Sequence, residues 1–168
     1  MVGPTNLPFL TANQLVPALR GGGYVLIMRH ASSPRVEPEA ALAHPSNVKL
    51  ERQLDTKACD RVRAMSAALK NLQLNLSGLI CSPAFRARET IQLAGLGEPT
   101  VAPELDEILS ASPCGLAQSD WLRAQSGRRP PLGTNTLLVT HLPNLIDAFE
   151  NIWPVALVRR WCSCQPMR

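Results

Sequence analysis

Tyr24-Val25-Leu26-Ile27-Met28-Arg29-His30 is an unbroken apolar run that ends in a basic doublet. A strand with one wet face would alternate polar and apolar residues, so a continuous run rich in β-formers suits a central strand covered on both faces. Upstream, Gly21-Gly22-Gly23 ends a short helix expected over 13–20, with Thr11 as its cap. Gly78-Leu79-Ile80-Cys81 and Thr136-Leu137-Leu138-Val139-Thr140 are further strands of the same kind, and Thr100-Val101-Ala102 reads as a short edge strand.

Helices fall between these strands. From Asp55 to Leu72, Ala58, Val62, Met65, Leu69 and Leu72 recur at spacings of three and four, which makes an amphipathic helix. Ser82-Pro83 has the cap-then-proline order that opens a helix, expected to run to about Leu96. Leu116 to Gln125 and Pro143 to about Glu150 read as two more, while 31–52, with Pro34, Pro38 and Pro45, and 127–133 read as loop. Strands alternating with helices predict an α/β layer fold around a mainly parallel sheet.

The 168 residues suffice for one domain with a real core, at 45% hydrophobic and 18% charged. A net charge of +4, from 17 basic and 13 acidic side chains, favours anionic partners. The cations are scattered and only 4% of residues are aromatic, which argues against nucleic acid as a partner. No apolar run spans a bilayer, and residues 1–20 carry no secretory pattern, so the expected location is cytoplasmic and no membrane partner is expected. Five irregularly spaced cysteines fit reduced thiols better than a disulfide framework.

In open α/β sheets ligands bind beyond the carboxyl ends of the strands. The first strand ends in Arg29-His30, the second is followed by Ser82-Pro83-Ala84-Phe85-Arg86, and the third strong strand ends in Thr140-His141. Two arginines and two histidines brought to one edge form a site for a dianion, because guanidinium forks match phosphate oxygens. The helix opening at Pro83 is expected to add free backbone N–H groups. A neutral imidazole can attack phosphorus, which makes His30 the expected nucleophile, with Arg29 and Arg86 on the nonbridging oxygens and a protonated His141 balancing charge. A leaving alkoxide needs a proton, and Glu104-Leu105-Asp106-Glu107 is the densest acidic cluster outside the helices. Arg35, Arg52 and His44, in the region of the long polar loop, are placed to rim a substrate pocket, but like Arg88 they read more simply as solvated side chains. Gly21-Gly22-Gly23 precedes its strand and lacks a following Gly-Lys-Ser/Thr, so it is no P-loop.

Leu26-Ile27-Met28-Arg29-His30-Ala31, Cys81-Ser82-Pro83-Ala84-Phe85-Arg86-Ala87-Arg88-Glu89-Thr90, Leu105-Asp106-Glu107-Ile108 and Leu138-Val139-Thr140-His141 occur in the order of the motifs of the histidine phosphatase superfamily. The chain resembles that superfamily over roughly residues 22–150. The resemblance implies a three-layer α/β/α, phosphoglycerate mutase-like fold and a phosphohistidine at His30. It also implies a phosphate pocket of Arg29, Arg86 and His141, and Glu107 as proton donor, with Asp106 as the second choice. It implies no metal and no cofactor. Arg-His-Ala and Thr-His-x-Pro-Asn resemble the small phosphatase branches more than the mutases, although Ala31 and Leu142 stand where glycine is frequent.

The expected function is hydrolysis of a phosphomonoester, or of a protein phosphohistidine, so the partner is a small phosphorylated substrate or a phosphoprotein. The alternative is a noncatalytic phosphate-binding or regulatory protein that keeps the pocket. One domain is expected over 1–168, with a tail, 151–168, that does not match the family. Its Trp153, Trp161, Cys162 and Cys164 and the absence of acids after Glu150 imply an altered gene end and a lost edge strand.

Overall fold

Leu138 and Val139 are completely buried because helices cover their strand on both faces. The computed structural model of the protein describes residues 10–108, 113–149 and 157–160. Its strands are β1 (Tyr24–Arg29), β2 (Leu76–Cys81), β3 (Thr100–Val101), β4 (Asn135–Thr140) and β5 (Leu157–Arg160). They form one sheet in the order β3-β2-β4-β1-β5, in which β3, β2, β4 and β1 are parallel and β5 is antiparallel to β1.

The helices are α1 (Ala12–Gly21), α2 (Thr56–Asn71), α3 (Phe85–Ala94), α4 (Pro113–Ser126) and α5 (Leu142–Phe149). On one face Val25, Ile27 and Leu138 pack with Leu122 of α4 and Ala148 and Phe149 of α5. On the other, Leu137, Val139 and Cys81 meet Ala87 and Ile91 of α3, and α2 lies outside α3 through Ala58, Val62 and Ala94. The expected α/β fold is thus observed in three layers, with alternate residues of each strand serving opposite helix layers.

At the amino ends of the strands the buried Asn135 acts as a polar clamp. Its Oδ1 accepts from Tyr24 N at 3.2 Å and its Nδ2 donates to Leu19 O at 2.8 Å, joining β4, β1 and α1. Gly22 has φ of +74° and lies against the Thr134 backbone so closely that a Cβ would fall 2.4 Å from Thr134 N. The glycines therefore end α1, as the sequence predicts, and also allow the backbone to reach β4.

The differences from the sequence reading are local. Helix α3 begins at Phe85 with Ala84 as its cap residue, not at Pro83 behind Ser82, because Ser82 Oγ accepts Ala84 N while the Phe85 N–H goes to Glu51. It ends at Ala94, where Gly95 adopts φ of +57°. Strand β2 starts two residues early, and α4 starts at Pro113. The lost edge strand inferred for the tail is corrected by β5, which pairs Leu157–Arg160 with β1. The Trp and Cys of the tail lie outside the described residues, in which no helix is long and apolar enough to cross a membrane.

Leu138→Ala is expected to lower the unfolding free energy by about 2–5 kcal/mol in urea titrations. A loss below about 1 kcal/mol would contradict the place of β4 at the centre of the core.

Candidate active site

Sheet order sets the site. Strands β1 and β2 lie on either side of β4, so the residues that follow all three emerge at one edge. His30 N donates to Thr140 O at 2.9 Å and Ser82 N to Val139 O at 3.0 Å, which carries the sheet ladder one residue past each strand and fixes the direction of both loops.

The Arg86 guanidinium, from the first turn of α3, joins the groups delivered there. Its Nε donates to His30 Nε2 at 3.2 Å, and its Nη2 donates to Glu107 Oε2 at 2.7 Å and to His141 Nδ1 at 3.0 Å. The two imidazoles meet edge-on, with centroids 5.1 Å apart. Expected pocket residues Arg86, His30, His141 and Glu107 are therefore brought into mutual contact. Arg29 is exposed and bonded to none of them, although its charge acts on both histidines. Arg88 and Arg35 point to solvent and His44 is bonded to Ser46.

The hydrogen bonds assign the tautomers. His30 Nδ1 lies 2.6 Å from Ala31 O and must carry the proton, which leaves the Nε2 lone pair facing Arg86. His141 accepts at Nδ1, so its Nε2–H donates to Ser82 Oγ at 2.8 Å, and Ser82 in turn faces Asp106 Oδ1 at 3.5 Å. Burial pushes the His30 pKa down to about 4, with the Arg86 charge contributing, although the bond to Ala31 O opposes the shift. Burial and then Arg86 push His141 down to about 3. Both rings are thus neutral at pH 7. For His30 that is the nucleophilic form; for His141 it differs from the expected imidazolium, because a buried cation already stands 3.0 Å away.

Asn144, 1% exposed, carries no signal in the sequence beyond closing Thr-His-x-Pro-Asn. Its Nδ2 donates to Asp106 O at 2.7 Å and its Oδ1 accepts from Ile108 N at 3.2 Å. These bonds bracket Glu107 and hold its backbone to α5, while Thr140 Oγ1 secures Leu105 O. Of the two carboxylates, Glu107 reaches Arg86, and Asp106 accepts instead from the Glu107 N–H and faces Ser82. Sequence spacing does not distinguish their surroundings; the bond to Arg86 does. At the start of α3, Glu51 Oε2 takes the Phe85 N–H at 2.8 Å and Ser82 Oγ the Ala84 N–H at 3.1 Å, so two of the backbone N–H groups expected to face an anion are already bonded. Among the described residues no group of His, Cys, Asp and Glu is disposed to hold a metal ion.

Compared with known proteins, the chain is 31% identical over 121 residues to the phosphohistidine phosphatase SixA of Escherichia coli strain K12, covering 71% of this chain and 67% of that one. The chain belongs to the histidine phosphatase family. The solved structure of the protein histidine phosphatase SixA complexed with tungstate matches this phosphatase with a TM-score of 0.51 at 26% identity, over 74% of this chain and 73% of that chain. The product of an open reading frame of Mycobacterium tuberculosis, 17% identical, shares the fold with a TM-score of 0.52 over 75% and 77% of the two chains. No family model matches the chain.

The two histidines also link the family's pocket to stability. Their pKa values are lower folded than the 6.5 of a free imidazole, so the unfolded chain binds protons first as the pH falls. Their contribution is complete above pH 6.5 and is lost as the pH falls through about 4 and then about 3. Urea midpoints are expected to drop across this interval, and less steeply in His141→Gln. A wild-type midpoint that stays constant from pH 7 to below 4 would contradict the neutral, buried assignment.

Proposed function

We propose that this phosphatase hydrolyses a phosphorylated substrate, a small phosphomonoester or a phosphohistidine on a protein, through a covalent phosphohistidine at His30. The observation that carries the reading is the Nε2 lone pair of His30, which is unprotonated at neutral pH and held 3.2 Å from a guanidinium N–H. It faces the place where an anionic phosphoryl group is drawn in. The E. coli relative is a phosphohistidine phosphatase, and the tungstate in the SixA structure is an oxyanion. Both names agree with a phosphoryl ligand here.

The chemistry is a double displacement. His30 Nε2 forms a bond to phosphorus as the P–O or P–N bond to the leaving group breaks, and the leaving atom takes a proton from Glu107, whose carboxylate, once displaced from Arg86, has received it from the incoming phosphoryl monoanion. Water then attacks the phosphohistidine, giving its proton to the Glu107 carboxylate, and His30 is released with inorganic phosphate. Arg86, Arg29 and His141 hold the nonbridging oxygens, where negative charge is greatest along the path.

Arg86 Nη2 has two hydrogens and both are committed, one to Glu107 and one to His141. A phosphoryl oxygen that takes either one displaces its former partner. Substrate entry therefore releases Glu107 towards the leaving group, or turns His141 towards the phosphate, where the added negative charge favours its protonation. The expected imidazolium then belongs to the occupied pocket.

The test is phosphate release from a phosphohistidine peptide and a panel of phosphomonoesters without added metal. Wild type is expected to turn over at least one of them, and His30→Ala to lose about a thousandfold or more in kcat. Retained turnover in that variant would overturn the covalent route, and binding of phosphate with no turnover by wild type would favour a noncatalytic protein. Glu107→Gln is expected to slow alkyl phosphates by about 10²–10⁴-fold and to affect aryl phosphates less, because their leaving groups need less protonation. Equal loss on both would remove Glu107 from the role of acid.

A further inference from the structure

The geometry points to Arg52 as a third guanidinium of the phosphoryl pocket, a substrate-binding residue that uses its uncommitted nitrogen and its unneutralised charge. This inference rests on the phosphoryl ligand proposed above and adds a residue that sequence spacing left among solvated side chains. Arg52 lies in the long segment between β1 and α2, and that segment is built, not slack. Asn47, 3% exposed, closes it by accepting from Glu51 N at 2.9 Å and donating to Glu51 O at 2.6 Å. Leu50 within this closure is held at φ of +52°, a conformation that costs an ordinary side chain energy and persists only where neighbours impose it.

The closure delivers two adjacent charged side chains to the two elements that carry the pocket. Glu51 takes the Phe85 N–H at the start of α3, one residue before Arg86. Arg52 reaches the loop that leaves His30: its Nε donates to Pro34 O at 2.7 Å, and its Nη2 to Ser33 O at 3.3 Å and Ser33 Oγ at 3.1 Å. Two edges of the guanidinium are thereby fixed on uncharged oxygens, and Nη1 is bonded to none of the described groups.

Nor does any carboxylate among the described residues pair with Arg52, whereas Arg86 has Glu107. A half-buried guanidinium held by carbonyls keeps its full charge, and its flexible stem has already been ordered, so little rotamer entropy remains to be lost on binding. That charge is close enough to the pocket to lower the pKa of His30, Arg86 and His141 alike. An oxyanion entering between His30 and Arg86 is the counterion this arrangement lacks.

The experiment measures inorganic phosphate affinity calorimetrically on the full chain, beside KM and kcat for whichever substrate the wild type turns over. Arg52→Gln, with thermal unfolding confirming that it is folded, is expected to weaken phosphate by about tenfold to a hundredfold, the usual loss for one charge-assisted bond. KM should rise more than kcat falls, and Arg52→Lys should recover part of the affinity. A purely structural clasp on Ser33 and Pro34 would instead lower the melting temperature and the active fraction, with phosphate affinity of the folded protein unchanged in both variants. That result would overturn the proposal.

If Arg52→Gln does not fold, the unaltered protein decides. Its assigned Arg52 side-chain ¹⁵N resonances should shift with phosphate along the same isotherm as His30, and a stationary Arg52 beside a moving His30 would refute the assignment. Phosphate binding that needs Arg52 in a wild type that hydrolyses nothing would sink the hydrolase reading and spare this one. Turnover that Arg52→Gln leaves intact would do the reverse, and a wild type that binds no phosphate would end both.

Discussion

A guanidinium 7% exposed to solvent holds this site together. Arg86 bonds His30, His141 and Glu107 through two of its nitrogens, and these partners follow β1, β4 and the turn after β3. Burying such a charge is costly unless it is paired and hydrogen-bonded, and the only carboxylate it pairs with among the described residues is Glu107. The rest of the architecture follows from supplying that one cation with partners and keeping them in place. Asn144 fixes the carboxylate, Ser82 fixes the second imidazole, Ala31 O fixes the tautomer of the first, and Glu51 fixes the helix from which Arg86 projects.

The same arrangement explains why the pocket is poised for an anion. With both imidazoles kept neutral by burial and by Arg86, the site avoids stacking like charges. On the proposed function, a phosphoryl group would reverse the balance, since it offers several acceptors and a negative charge that favours protonation of His141. Preorganised donors of this kind do not have to reorient as charge develops, which is where the catalytic advantage of a rigid polar pocket arises.

How much of this the sequence discloses depends on whether a feature is local. The strands at 24–29 and 135–140 are legible because a run covered on both faces must be apolar throughout, and their terminal His30 and His141 are legible because strand ends in parallel sheets converge. Arg86 is separable from Arg88 by its place in the first helical turn. The different surroundings of Glu107 and Asp106 are not local, since they depend on Arg86, which reaches Glu107 Oε2, and on Asn144, 37 positions further on than Glu107, which holds the backbone on either side of it. Arg52 escapes for a similar reason: a loop with prolines reads as solvent-exposed, and only the Asn47 closure and the bonds to Ser33 and Pro34 draw it inward. The edge strand β5 was illegible because the antiparallel partner of an edge needs no distinctive pattern, only a free ladder on β1.

With His30 as the proposed nucleophile, the phosphoryl group is transferred twice, first to His30 and then to water. The stereochemical course at phosphorus tests it most directly, because each in-line displacement inverts the centre. With a phosphorothioate substrate made chiral at phosphorus by two oxygen isotopes, hydrolysed in water of the third, and the product thiophosphate analysed for configuration, a double displacement requires overall retention. Overall inversion would mean that water attacks the substrate in a single step and would contradict it.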